Sequence, residues 1–148
     1  MYKTILVPLD GSARAETIIP HVEAVAHQNH AKVIFVKVLV MDTEHGPYGE
    51  PFFNSSAIEQ ERDQSITYLS GWKDKFIDKG FDADYVTLYG DPAKKILSVA
   101  ETHNADLIAI ASHGRTGLSR IFLGSVAAGI LHQTDRPLLL IRSQDTTE

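Results

Sequence analysis

Residues 106–126 read D-L-I-A-I-A-S-H-G-R-T-G-L-S-R-I-F-L-G-S-V. An apolar run opens the stretch, glycines and hydroxyl side chains fill its middle, and Gly124-Ser125 leads into a helix-like segment. Asp106 to Ala111 therefore predicts a strand and Ser125 to His132 a helix. The same succession of apolar run, polar turn and amphipathic stretch recurs along the chain. Thr4 to Leu9 predicts a strand ending in Asp10-Gly11-Ser12. Ser12 is placed to cap a helix with Ala15 and Glu16 in its first turn and Ile18, Val22 and Val25 as its apolar stripe. Pro20 lies inside that stretch, so it kinks the helix or marks a late start.

Lys32 to Val40 predicts a second strand, apolar on both faces as a strand covered by helices on each side must be. Asp42 to Ser56 holds Gly46, Pro47, Gly49 and Pro51 and has no period, which predicts a long surface loop. Ala57 to Lys79 predicts a helix with Ile66, Leu69, Trp72 and Phe76 on one side, closed by Gly80. Ala83 to Tyr89 is the next strand. Asp91 and Pro92 then form a capped helix start, with Ile96, Val99 and Ala100 on its apolar face. Leu138 to Arg142 is the last strand. Strand and helix alternate with no hairpin-joined pair, which predicts an α/β fold with a parallel sheet and helices on both faces. One domain is expected over residues 1–143, followed by a polar tail, 144–148.

Composition narrows the function. The net charge is −5 with no basic block, which argues against tracking a nucleic-acid backbone. There is no cysteine, so disulfides and thiolate metal sites are excluded. No stretch approaches the ~20 apolar residues of a membrane span, and the opening residues do not read as a signal peptide, so a cytoplasmic protein without membrane contact is expected. His27 and His30 are spaced to share a helix face, yet no third ligand is evident beside them. No nucleophile elbow G-x-S-x-G is present, and no residue stands out as a base for activating water on a γ-phosphate.

The quoted joint is the strongest chemical feature. Gly114 permits close approach of main chain to a ligand, and Gly124-Ser125 stands where a helix presents free N–H groups and its positive dipole end. That arrangement suits a phosphate; equally, Ser125 could be a plain N-cap. The patterns G-x4-G-K-[ST] and G-x-G-x-x-G are both absent.

Gly114, nine residues, then Gly124-Ser125 resembles the G-x2-G-x9-G-[ST] signature of the universal stress protein family. Ile5-Leu6-Val7-Pro8-Leu9-Asp10-Gly11-Ser12 and Arg136-Pro137-Leu138-Leu139-Leu140-Ile141-Arg142 resemble that family's first and last strands, so the resemblance spans nearly the whole chain. It implies an open five-stranded parallel sheet of order 3-2-1-4-5. It also implies a regulatory site for ATP (or ADP or AMP) across strands one and four. Pro8, Leu9 and Asp10 would then line the adenosine end and Val38 would meet the adenine through its backbone. Gly114, Gly124, Ser125 and Val126 would hold the phosphates, with His113 and Arg115 contributing mostly backbone N–H groups. Mg²⁺ would accompany the phosphates, with Asp10 as its candidate carboxylate.

The signature's first glycine is Ala111 here. If that position needs positive φ, alanine costs on the order of 1 kcal/mol or more; if it needs only a small residue, the methyl is tolerated. The resemblance further implies a homodimer paired through Leu138, Leu139, Leu140 and Ile141, and an unidentified protein partner. A nucleotide-free dimeric scaffold and a slow ATPase are the alternatives.

Overall fold

The computed structural model describes residues 1–41, 43–112 and 124–143. Five strands form one parallel sheet: β1 (Thr4–Pro8), β2 (Lys32–Leu39), β5 (Ala83–Tyr89), β6 (Leu107–Ser112) and β7 (Leu138–Arg142), in the spatial order β5-β2-β1-β6-β7. Counted over these five strands alone, the order is 3-2-1-4-5, as expected. Each strand sits within about a residue of the stretch that predicts it, because both faces are buried and the apolar runs carry no ambiguity of face.

Alternation along each strand divides the core into two layers. Ile5, Val7, Phe35, Leu107 and Ala109 point to one face, beneath α1 (Ala13–Glu16), α2 (Ile19–Asn29) and α3 (Ser55–Asp78). Leu6, Ile34, Val36, Ile108 and Ile110 point to the other, beneath α4 (Pro92–Thr102) and α5 (Ser125–Gln133). Phe35 meets Phe76 of α3 edge-on, with ring centroids 5.0 Å apart, a favoured aromatic geometry. At the amino end of the sheet the Asp106 carboxylate accepts hydrogen bonds from the backbone N–H groups of Lys3 and Thr4 at 2.9–3.1 Å, tying β1 to β6. Along its length β1 lies between β2 and β6, and β7 and β5 are the two edges.

The structure corrects the reading of one loop and of one helix start, and decides between the two readings of Pro20. The segment after β2 is not free of strand: β3 (Glu44–His45) and β4 (Pro51–Phe52) pair antiparallel as a hairpin. Strands of two residues are too short to show alternation, so the sequence reads there as loop. Pro20 marks a late start and not a kink. The chain makes the short α1 first, then begins α2 with Pro20 in its first turn, where the missing N–H costs nothing. The long helix starts two residues earlier than expected because Asn54 caps it, accepting from the Ala57 N–H at 3.1 Å.

Candidate functional site

The crossovers from β1 and β6 leave on opposite faces of the sheet, to α1 and α5. Their divergence opens a cleft at the carboxyl end of the sheet, the position where open α/β sheets bind ligands. Pro8, Leu9, Asp10, Val38, Ala111, Gly124, Ser125 and Val126 all line it, around a cavity of about 180 Å³. Eight residues singled out from sequence, drawn from four separate segments, are thus brought to one place. His113, Gly114 and Arg115 lie outside the described residues.

The two walls differ in chemistry. Val36, Val38, Pro92, Ile96 and Ile110 make an apolar wall. Opposite them, Asp10 and Arg14 are the only charged side chains among the described lining residues. The Asp10 carboxylate is held on three sides. One oxygen accepts from the Ser12 N–H at 2.9 Å and the Ser12 hydroxyl at 2.6 Å; the other accepts from the Arg14 guanidinium at 3.1 Å. Burial by itself pushes this carboxyl up, but the Ser12 hydrogen bonds and the Arg14 charge outweigh it and hold the group below its ordinary range. Asp10 is therefore ionised at neutral pH.

Ser12 does a second job. Its hydroxyl oxygen accepts from the Ala15 N–H at 3.1 Å, capping α1 as the sequence predicts. Beyond it, the Tyr68 hydroxyl donates to the Glu16 carboxylate at 2.5 Å and pins α1 to α3. Burial, then this bond, pushes the Tyr68 phenol well above its ordinary range, so it stays protonated as the donor.

At the other side of the cleft, Gly124 and not Ser125 is the N-cap of α5. Its φ of 82° and ψ of 147° belong to a region that is essentially glycine's alone. Having no side chain, Gly124 caps nothing. Ser125 is the first helical residue, so the plain N-cap reading of its hydroxyl is corrected.

Ala111 ends in β6, paired opposite Ile141, and is 4% exposed. Among the described residues, positive φ at a non-glycine occurs only at His30 and Asn104. The strain that alanine would carry in the left-handed region does not arise, and a small side chain suffices here. His30 itself, with φ of 53°, closes α2 and does not extend the helix face of His27.

Sequence reasoning missed the apolar wall beyond Val38, and it missed Arg14. Wall residues such as Ile96 carry only the signal of a core position. Arg14 had a findable one: it stands four residues after Asp10, the spacing of a helical ion pair.

The sheet, its two helical layers and the cleft at the reversal of strand order define a doubly wound α/β protein. The chain belongs to the universal stress protein family, whose model matches residues 1–142. It is similar to universal stress protein MJ0577 of Methanocaldococcus jannaschii, at 28% identity over 159 aligned positions covering 99% of this chain and 98% of that protein. The solved structure of MJ0577 superposes with a TM-score of 0.79 at 25% identity, over 99% of each chain. A universal stress protein from Archaeoglobus fulgidus, solved in complex with dAMP, shares the fold at a TM-score of 0.65 and 21% identity, covering 95% of this chain and 98% of that one. Another, solved in complex with cAMP, does so at 0.60 and 21%, covering 97% and 98%. Among the described residues no helix is long and apolar enough to cross a membrane.

Proposed function

We propose that the cleft binds an adenine nucleotide, ATP in the first place, as a regulatory ligand of a homodimer. The observation that carries this reading is the convergence of Pro8, Asp10, Val38, Ala111, Gly124 and Ser125 on one cleft at the switch point of the sheet. The chemistry of the walls agrees with it. A flat base suits the Val36, Val38 and Ile96 side, a ribose hydroxyl suits the ionised Asp10, and phosphates suit the start of α5, whose N-cap Gly124 brings no side chain. The dAMP and cAMP complexes of two family members with this fold lend support from outside the chain.

The cleft is open to solvent and its volume, about 180 Å³, is below the ~300 Å³ at which pockets for whole drug-sized ligands begin. In this reading the base and sugar enter the cleft and the phosphates lie along its rim at Gly124 and Ser125. Mg²⁺ then travels with the phosphates. The Arg14 guanidinium on the Asp10 carboxylate would repel a cation placed beside it but not a hydroxyl, which supports a sugar contact for Asp10 over a place as metal ligand.

The dimer would form through β7, an edge strand whose Leu138, Leu139, Leu140 and Ile141 are each only partly buried. Unpaired apolar edges are an aggregation hazard unless covered. Light scattering should report twice 16.3 kDa; a monomer at micromolar concentration removes this part of the reading.

The nucleotide reading is tested by calorimetric titration with ATP and Mg²⁺, beside ADP and AMP and beside a Ser125→Asp variant. Micromolar binding by the parent that weakens in the variant supports it. A parent that binds none of the three overturns it and leaves the nucleotide-free scaffold.

A further inference from the structure

We propose that Arg14 is a specificity-determining residue of the cleft: its guanidinium contacts the first phosphate after the sugar and makes the site select nucleotides over nucleosides. This rests on the nucleotide reading above. Arg14 issues from the first turn of α1 and belongs to no part of the glycine signature. Its side chain is only 20% exposed and lies along the cleft. One terminal nitrogen donates to the Ala111 carbonyl at 3.2 Å and the other to the Asp10 carboxylate at 3.1 Å.

The guanidinium therefore bridges the two ends of the site. Asp10 belongs to the sugar side, and Ala111 leads toward the phosphate side that ends at Gly124 and Ser125. A group held between sugar and phosphate-binding elements sits where the first phosphate of a nucleotide must pass. Arginine has five N–H donors in a planar fork that matches phosphate oxygens, and these two bonds use two of them.

Charge balance leads to the same place. Asp10 and Arg14 are the only charged side chains among the described residues of the cleft, and they form one ion pair. Remove the guanidinium, and no positive side chain among the described lining residues offsets the Asp10 carboxylate against an incoming phosphate. Loss of the donor and exposure of the carboxylate both penalise phosphorylated ligands. Neither penalises adenosine, which carries no charge.

The test is calorimetric titration of adenosine and AMP into the parent, Arg14→Gln, Arg14→Lys and an Asp10→Asn/Arg14→Gln double variant, each checked for an intact thermal transition. Arg14→Gln should weaken AMP about tenfold or more, the scale of one charge-assisted hydrogen bond, while adenosine changes by less than about twofold. Arg14→Lys keeps the charge without the fork and should recover most of the AMP preference. The double variant, with neither charge, should bind AMP more tightly than Arg14→Gln does. A purely structural tie would lower adenosine and AMP affinity alike, and that result overturns the proposal, as does an unchanged AMP-to-adenosine ratio in Arg14→Gln. If Arg14→Gln does not fold, Arg14→Met takes its place: AMP must weaken about tenfold while adenosine does not, and an unchanged ratio overturns the proposal. A parent that binds neither ligand, nor ATP, removes the nucleotide reading itself, which is a different failure.

Discussion

Two joints lead from the carboxyl ends of neighbouring strands into helices, and both contain Gly-Ser with the glycine at positive φ, 89° at Gly11 and 82° at Gly124. They are built one residue out of step. After β1 the serine is the N-cap, and its hydroxyl binds both Asp10 and the Ala15 N–H. Before α5 the glycine is the N-cap, and the serine is already inside the helix. The first joint satisfies its own helix end. The second brings no capping side chain from its N-cap residue, and its helix points its dipole at the cleft. The same two letters thus make a closed corner in one place and a receptive one in the other.

Substitutions should separate the two joints. The largest effect is expected at Gly124→Ala, where a side chain is forced into a glycine-only region: about 2 kcal/mol of stability lost in a denaturant titration. A loss under about 0.5 kcal/mol would mean the joint tolerates another backbone path. Ser125→Asp comes next, and its effects should have opposite signs. A carboxylate in the first turn suits the dipole, so the thermal midpoint should hold or rise slightly. The same charge occupies the proposed phosphate position, so ATP affinity should fall about tenfold, roughly 1.4 kcal/mol. A midpoint that falls with the affinity would point to damage and not to competition.

Ser12→Ala removes a true cap and should cost about 1 kcal/mol of stability, whereas Ser125→Ala should stay within about 0.5 kcal/mol. Equal costs would erase the distinction between the joints. The smallest effect is on pH dependence. The Asp10 carboxyl lies below its ordinary value of 3.8 in the folded chain. Its contribution to stability is therefore present above that value and lost as pH falls through the lower folded one. Ser12→Ala weakens the anchoring, so the gap between variant and parent in urea midpoints should narrow on acidification from pH 5 toward pH 2. A constant gap would assign the whole cost to the helix cap.

The same contrast explains how much was legible in the sequence. Buried parallel strands announce themselves as apolar runs, and Asp91-Pro92 announces a helix start, so the sheet and most helices could be read directly. Gly124-Ser125 reads correctly as a strand-to-helix joint, but its register is not written in residue type: serine is a good N-cap, and only backbone geometry shows the glycine in that role. Ala111 looks like a fault until its backbone proves to be ordinary strand. The spacing of Arg14 from Asp10 hints at their ion pair, but its second partner, the Ala111 carbonyl, lies 97 positions away and leaves no local signal. The hairpin at Glu44–His45 and Pro51–Phe52 is too brief to carry a period.

The place of β1 within the sheet has a consequence for how the protein is made. Among the five strands of this sheet β1 is synthesised first and lies in the middle, and its partner on one side, β6, comes fourth. Once Tyr89 has cleared the ribosomal exit tunnel, β5, β2 and β1 can form a half-sheet whose open flank is Ile5-Leu6-Val7. At bacterial or eukaryotic elongation rates, the ribosome needs about one to five seconds more to bring Ser112 out of the tunnel. For that interval the nascent chain holds an apolar edge at the future centre of the molecule with its partner strand still to come, the stage of synthesis at which an edge-to-edge contact with another chain is the greatest hazard.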